Sequence, residues 1–209
     1  MKTLITSTAI AAILCTAASG EILHNVSIDD IELEVQPTPQ YDVAGVKDKR
    51  FDLRQWIEIE IKLDVQTLER ANPSGFIPEL KIQWYAIMID KFEKNKGKEP
   101  KVLTGETTLI NINARDGVAY AAAYISPDTI ERLTGKDRAN ENDLKAIAVI
   151  VSGDDLKPNP GMLRVTAEEQ SKWWSSGKYD TLEGKITPKS KSPFALLWMD
   201  RYPTEKLEE

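Results

Sequence analysis

The sequence predicts a mainly β protein, built as an antiparallel β-sandwich with short helices. Three observations lead to this fold class: strict alternation of apolar and charged residues in one segment, about seven strand-like segments in all, and proline and glycine residues between them. The segments are short and follow one another along the chain, and no linker rich in Pro, Gly or Ser divides them. We therefore expect one sandwich domain.

The alternation is clearest at residues 57–65. Its apolar residues are Ile57, Ile59, Ile61, Leu63 and Val65, and the charged residues between them are Glu58, Glu60, Lys62 and Asp64. One face of this strand is expected to be buried and the other to meet water, which is typical of antiparallel sheets. Residues 26–35 repeat the pattern with a slip of phase at Asp29 and Asp30, which predicts a β-bulge.

Five further segments are predicted to be strands: residues 80–89, 107–113, 118–125, 144–151 and 194–199. The first carries apolar residues on both faces, so we expect a central strand with Trp84 in the core. The second and third flank Asp116-Gly117, a dipeptide that between two strand-like segments predicts a β-hairpin.

Two short helices are expected to close the ends of the sandwich. Ser126 can cap a helix with Pro127 at its first position, and this helix ends near Gly135. A second helix is predicted by the capping-box pattern at residues 166–169, with its end near Gly177.

The first twenty residues have the order of a secretory signal peptide. Lys2 comes first, an apolar segment follows, and residues 17–20 are small. The apolar segment is far shorter than the roughly 20 residues that span a bilayer, and a lipoprotein is disfavoured because Leu14 precedes Cys15. We therefore expect a mature domain at residues 21–209, without a membrane span, that is secreted, periplasmic or on the cell surface.

Charge and composition exclude several classes of function. The formal net charge is −6, and no basic cluster stands out, so nucleic acid is not an expected partner. Cleavage of the leader removes the single cysteine and leaves His24 as the single histidine. The sequence has no nucleophile elbow, phosphate-binding loop or dinucleotide fingerprint. We expect no catalytic residues, no metal site, no cofactor and no enzyme activity.

Four segments carry a resemblance to known proteins. The strand at residues 81–87, with Trp84, resembles the tryptophan-bearing strand of immunoglobulin-like domains. Together with the signal peptide, Lys172-Trp173-Trp174 and residues 192–203, it is similar to small secreted proteins of Verrucomicrobia-type bacteria. Some of these accompany pilus-like gene clusters and have immunoglobulin-like folds similar to archaeal type IV pilin domains. The resemblance implies an immunoglobulin-like sandwich that acts as an accessory of a pilus-like surface assembly.

Aromatic residues are the candidate binding residues. Trp173, Trp174 and Tyr179 surround a predicted helix, on which adjacent tryptophans cannot both face the core. The first hypothesis is an exported structural or interaction protein that binds a protein partner or self-associates, with residues 194–199 as an exposed strand in a possible homo-oligomer. The alternative is a carbohydrate-binding module in which these three aromatic residues contact a glycan. A hydrolase that uses carboxylates alone is the weakest hypothesis.

Overall fold

Two β-sheets pack face to face in a computed structural model that describes residues 24–41, 52–67, 75–90, 100–166 and 172–207. The first sheet is antiparallel and has the strand order β1-β2-β5-β9. Its strands are β1 (His24–Pro37), β2 (Gln55–Thr67), β5 (Val118–Ile125) and β9 (Ile186–Pro188). The predicted leader at residues 1–20 lies outside the described residues, so the domain boundary at residue 21 stays a prediction.

The second sheet has the order β10-β4-β3-β6-β7, and β8 pairs in parallel with β4. Its strands are β3 (Phe76–Met88), β4 (Lys101–Asn113), β6 (Leu144–Ser152), β7 (Leu163–Val165), β8 (Thr181–Leu182) and β10 (Thr204–Glu205). The predicted fold class, a mainly β immunoglobulin-like sandwich with short helices, is confirmed.

The helices are short, as expected. Helix α1 (Pro127–Thr134) begins after Ser126, whose Oγ accepts a hydrogen bond from the Thr129 amide, and Gly135 ends it with a φ of 69°. The described residues also contain four 3₁₀ turns: Glu141–Asp143, Pro160–Met162, Trp173–Ser175 and Lys189–Lys191. The second predicted helix falls partly outside the described residues, and its described end is the 3₁₀ turn at Trp173. No helix of the described residues has the length and apolarity that crossing a membrane requires.

The core lies between the two sheets and contains the faces that the alternation predicts. All five apolar residues of 57–65 are at most 1 % exposed. From the opposite sheet, Trp84 is fully buried and its Nε1 donates a hydrogen bond to Thr107 Oγ1 at 2.9 Å. The predicted bulge is also confirmed, because the β1–β2 register shifts between Ile28 and Asp30.

The predicted Asp-Gly hairpin is wrong in its pairing. The chain does turn at Gly117, which has a φ of 72°, but β4 pairs with β3 while β5 pairs with β2 in the other sheet. The turn therefore leads from one sheet to the other. A two-residue signal fixes a local reversal of the chain, and it leaves the choice of hydrogen-bonding partner to the packing of the flanking strands.

Strand β9 closes one edge of the sandwich and sets a close backbone contact. A Cβ at Gly105 of β4 would lie 2.1 Å from the carbonyl oxygen of Ile186 in β9. Any side chain at this position would collide with backbone, so glycine is what permits β9 to approach the second sheet.

Candidate functional site: a glutamate pocket beneath the C-terminal segment

The predicted aromatic residues lie together on the outer face of the second sheet. Trp173 is 3 % exposed and packs with Ile87 of β3 and its neighbours, whereas Trp174 and Tyr179 are half-buried at the rim of the same cluster. The Trp173 and Trp174 rings meet edge to face with centroids 5.5 Å apart. Trp173, Trp174 and Tyr179, called the aromatic trio below, thus cover apolar surface of the second sheet. That they bind a ligand stays a prediction.

Residues 192–202, called the C-terminal segment below, cover the outer face of the first sheet. The predicted strand at residues 194–199 is wrong: this part is a series of turns in which the Leu197 amide bonds to the Phe194 carbonyl and the Arg201 amide to the Trp198 carbonyl. The described residues provide no partner strand for it, so its backbone groups bond locally instead.

Phe194 anchors the C-terminal segment to the first sheet. Its ring is 1 % exposed, stacks on Tyr124 of β5 with centroids 4.4 Å apart, and meets Trp56 of β2 edge to face at 5.9 Å. Trp56, which the sequence places on the charged face of its strand, is therefore covered by this segment. Aromatic pairs of this kind each contribute about 0.5–1.5 kcal/mol beyond the area that they bury.

A second anchor holds the other end of the segment. Arg201 donates hydrogen bonds to both carboxylate oxygens of Glu60, at 2.5 and 3.1 Å, and its guanidinium lies 3.9 Å from the centroid of the Tyr120 ring. The Tyr202 hydroxyl also donates to Glu60. Burial alone would raise the pKa of Glu60, but these hydrogen bonds bring it below its usual value.

Between the first sheet and the segment lies a pocket of about 300 Å³. Its walls are Glu32, Glu34, Gln36, Glu58, Glu60, Trp198, Arg201 and Tyr202. The sheet register explains the concentration of carboxylates, because Glu32 lies opposite Glu60 and Glu34 lies opposite Glu58 on adjacent strands. Like charges in directly opposite positions destabilise a sheet unless something compensates them.

Glu58 is the most unusual residue of this pocket. It is 5 % exposed; its Oε1 accepts a hydrogen bond from the Tyr124 hydroxyl at 3.1 Å, while its Oε2 is buried with no hydrogen-bond partner among the described residues. Burial raises its pKa, the Tyr124 hydrogen bond opposes that shift, and the charges of Glu60 and Glu34 add to it. Gln36 also lowers the pKa of Glu58. The Gln36 amide donates its hydrogen bond to Glu34.

The outer surface of the C-terminal segment is apolar. Leu196, Trp198 and Met199 are 66 %, 48 % and 64 % exposed. Trp198 adopts a φ of 50°, which is unusual for a residue other than glycine, and it lines the glutamate pocket as well. These three residues are called the apolar patch below. The pocket and the patch form one continuous candidate site because Trp198 belongs to both.

A protein-family model matches residues 18–209 of this chain. The chain belongs to the family that this model describes. The fold of this chain is similar to a crystal structure of a protein from Akkermansia muciniphila, a member of the Verrucomicrobia, with a TM-score of 0.74. The two sequences are 21 % identical, and the match covers 89 % of this chain and 95 % of that one. At this identity the similarity establishes the fold, and it agrees with the resemblance to proteins of the Verrucomicrobia. No curated protein matches the sequence.

Sequence reasoning missed the pocket, although part of its signal was present. Alternation correctly placed Glu58 and Glu60 on the outer face of β2, and the same pattern places Glu32 and Glu34 on that face of β1. Pairing the two strands around the predicted bulge would have brought the four glutamates together. The sequence offered no signal for the cover, because Arg201 lies 141 positions from Glu60.

The single histidine lies away from this site. His24 is 2 % exposed at the start of β1, and its Nδ1 lies 3.1 Å from Thr67 Oγ1. Burial lowers its pKa. The described residues hold no group of three or more His, Cys, Asp or Glu side chains placed to bind a metal ion.

Proposed function

We propose that this protein is an exported interaction protein without catalytic activity, an accessory of a pilus-like surface assembly. It binds a partner protein of different sequence through the apolar patch and the glutamate pocket beside it. The leader at residues 1–20 supports export, and the resemblance to secreted proteins of the Verrucomicrobia supports the place in a surface assembly.

The exposed apolar patch is the observation that carries this proposal. Three large apolar side chains, each about half exposed or more, occur within four consecutive positions. Clustered exposed apolar residues with a polar rim are typical of interaction sites, whereas scattered ones are ordinary. Here the rim is the glutamate pocket, and tryptophan is among the residues that contribute most at interfaces.

The segment that carries the patch is held in one conformation before any partner arrives. Phe194 fixes one end through its stacking on Tyr124, and Arg201 fixes the other through Glu60. Lys189 adds a hydrogen bond from its Nζ to the Ala195 carbonyl at 3.1 Å. A surface that is already ordered loses less conformational entropy on binding, which favours affinity.

Site-specific photocrosslinking in the cells that normally make the protein tests this proposal. A photoreactive phenylalanine analogue replaces Met199 in the apolar patch. The matched control places it at Leu163 of β7, an apolar residue of the other sheet that is 37 % exposed. We expect a discrete adduct with one other protein from position 199 and none from position 163, with the partner identified by mass spectrometry.

Four results would overturn the proposal. Equal adducts from both positions, or none from position 199, would show that the patch is not a specific contact. An adduct between two copies of this chain would assign the patch to self-association instead of a different protein. Robust hydrolytic turnover by the purified chain would make it an enzyme.

A further inference from the structure

The carboxylates of the glutamate pocket outnumber the cations that compensate them. Four glutamates line it, and Arg201 is the one cationic residue among its lining residues. Both hydrogen bonds of the Arg201 guanidinium in this pocket go to Glu60. Glu32 and Glu34 are exposed at its mouth, and each lies opposite another glutamate across the β1–β2 pair. The pocket therefore has a strong preference for a positively charged guest.

A second, independent observation comes from the Glu58 carboxylate. More than nine-tenths of this residue is buried, it lines the pocket, and its Oε2 has no hydrogen-bond partner among the described residues. A buried acceptor without a donor is costly, and buried polar groups in folded proteins are nearly always paired. A donor from outside the protein would pair this oxygen.

The Trp198 indole supplies the third element. It lines the same pocket and remains 48 % exposed, so part of its ring is accessible to a guest. Its φ of 50° shows that the backbone accepts an uncommon conformation at this residue. Among aromatic side chains, tryptophan attracts organic cations to the face of its ring most strongly.

We infer that the glutamate pocket binds the cationic side chain of a lysine or arginine from the partner polypeptide. The ammonium or guanidinium group donates to Glu58 Oε2 and to Glu34, and the alkyl part of the side chain lies along the Trp198 indole. This inference rests on the proposed function, since it assigns the chemistry that the partner presents. A volume of about 300 Å³ accommodates such a side chain.

The test is an NMR titration of the mature chain that follows the Trp198 indole N–H signal, which Trp198→Phe identifies by removing it. The ligands are the N-acetyl methylamides of lysine and arginine, and the controls are those of norleucine and of Nζ-acetyllysine. At constant ionic strength, we expect saturable shifts with the two cationic ligands and none with the two neutral ones. Spermidine in a separate titration distinguishes a free polyamine from a side chain.

Two variants locate the cation. Glu58→Gln keeps the shape of the side chain and an acceptor for Tyr124 while it removes the charge, and we expect at least about fivefold weaker binding of the lysine ligand. Glu34→Gln should weaken binding less, because Glu34 is exposed. The matched control is Glu106→Gln, an exposed glutamate of β4 in the other sheet, which should leave binding unchanged.

Several outcomes would overturn the inference. The first two are the absence of saturable shifts with the cationic ligands and shifts of equal size with the norleucine ligand. A third is that Glu106→Gln weakens binding as much as Glu58→Gln does. The last two are much tighter binding of spermidine than of either side-chain ligand, and saturation of the Trp198 signal by Ca²⁺. If the ligands fail but crosslinking from position 199 still captures a partner, this inference fails and the proposed function stands. If crosslinking fails as well, both are wrong.

Discussion

Replacement of Trp84 by alanine is the sharpest test of the sandwich, because the indole lies fully buried between the sheets. Large-to-alanine substitutions of buried aromatic residues cost about 3–5 kcal/mol of the free energy of unfolding. The change also removes the hydrogen bond that Trp84 Nε1 donates to Thr107 Oγ1 at 2.9 Å. Thr107 is 2 % exposed, so the loss of this bond from a buried hydroxyl adds about 1 kcal/mol to the cost. Trp84→Phe keeps a ring and loses the N–H group, so we expect a loss of about 1–2 kcal/mol.

Urea denaturation followed by circular dichroism measures these losses, and Trp198→Ala is the control. Trp198 is 48 % exposed, so its replacement should cost less than about 1 kcal/mol. A loss below about 1 kcal/mol for Trp84→Ala, or equal losses for Trp84→Ala and Trp198→Ala, would place the Trp84 indole outside the core and refute the reasoning.

Three further predictions follow from the pocket, the N-terminus and the aromatic trio. Burial raises the pKa of Glu58 in the folded protein. The wild type therefore loses stability as the pH rises and Glu58 becomes ionised. In urea denaturation, Glu58→Gln should be more stable than the wild type at about pH 7 and should show no gain over it below about pH 4. A gain independent of pH would contradict this. Mass spectrometry of protein from its native cells should find residues 1–20 absent, whereas an intact N-terminus or lipid on Cys15 would show otherwise. If the alternative of glycan binding holds, a glycan array should show specific binding that Trp174→Ala with Tyr179→Ala abolishes, and a wild type that binds no glycan rules this alternative out.

Local patterns predicted the elements well where a single physical preference dominates. Alternation over residues 57–65 assigned all five buried apolar positions of β2, because a strand points successive side chains to opposite sides. It was wrong for Glu58, which it placed on the face that meets water and which is only 5 % exposed. The phase slip in β1 located its bulge, and the Ser126 cap with Gly135 gave both ends of α1.

The same patterns failed where a choice among partners decides the structure. Asp116-Gly117 predicted a turn correctly and its pairing wrongly, since the strands on either side found better partners in different sheets. The apolar residues at 194–199 had the composition of a strand, but only Phe194 is buried, and the turns around it leave Leu196 and Met199 exposed.

Hydrophobic periodicity was enough to predict the fold class, the core faces of the long strands and the position of Trp84, because it acts within a few residues. The candidate site, in contrast, is formed by long-range packing. The glutamates meet through the register of two strands, and their cover depends on contacts between Glu60 and Arg201, which are 141 positions apart. The free energy of such contacts depends on how the whole chain packs, and no local pattern of residues encodes it.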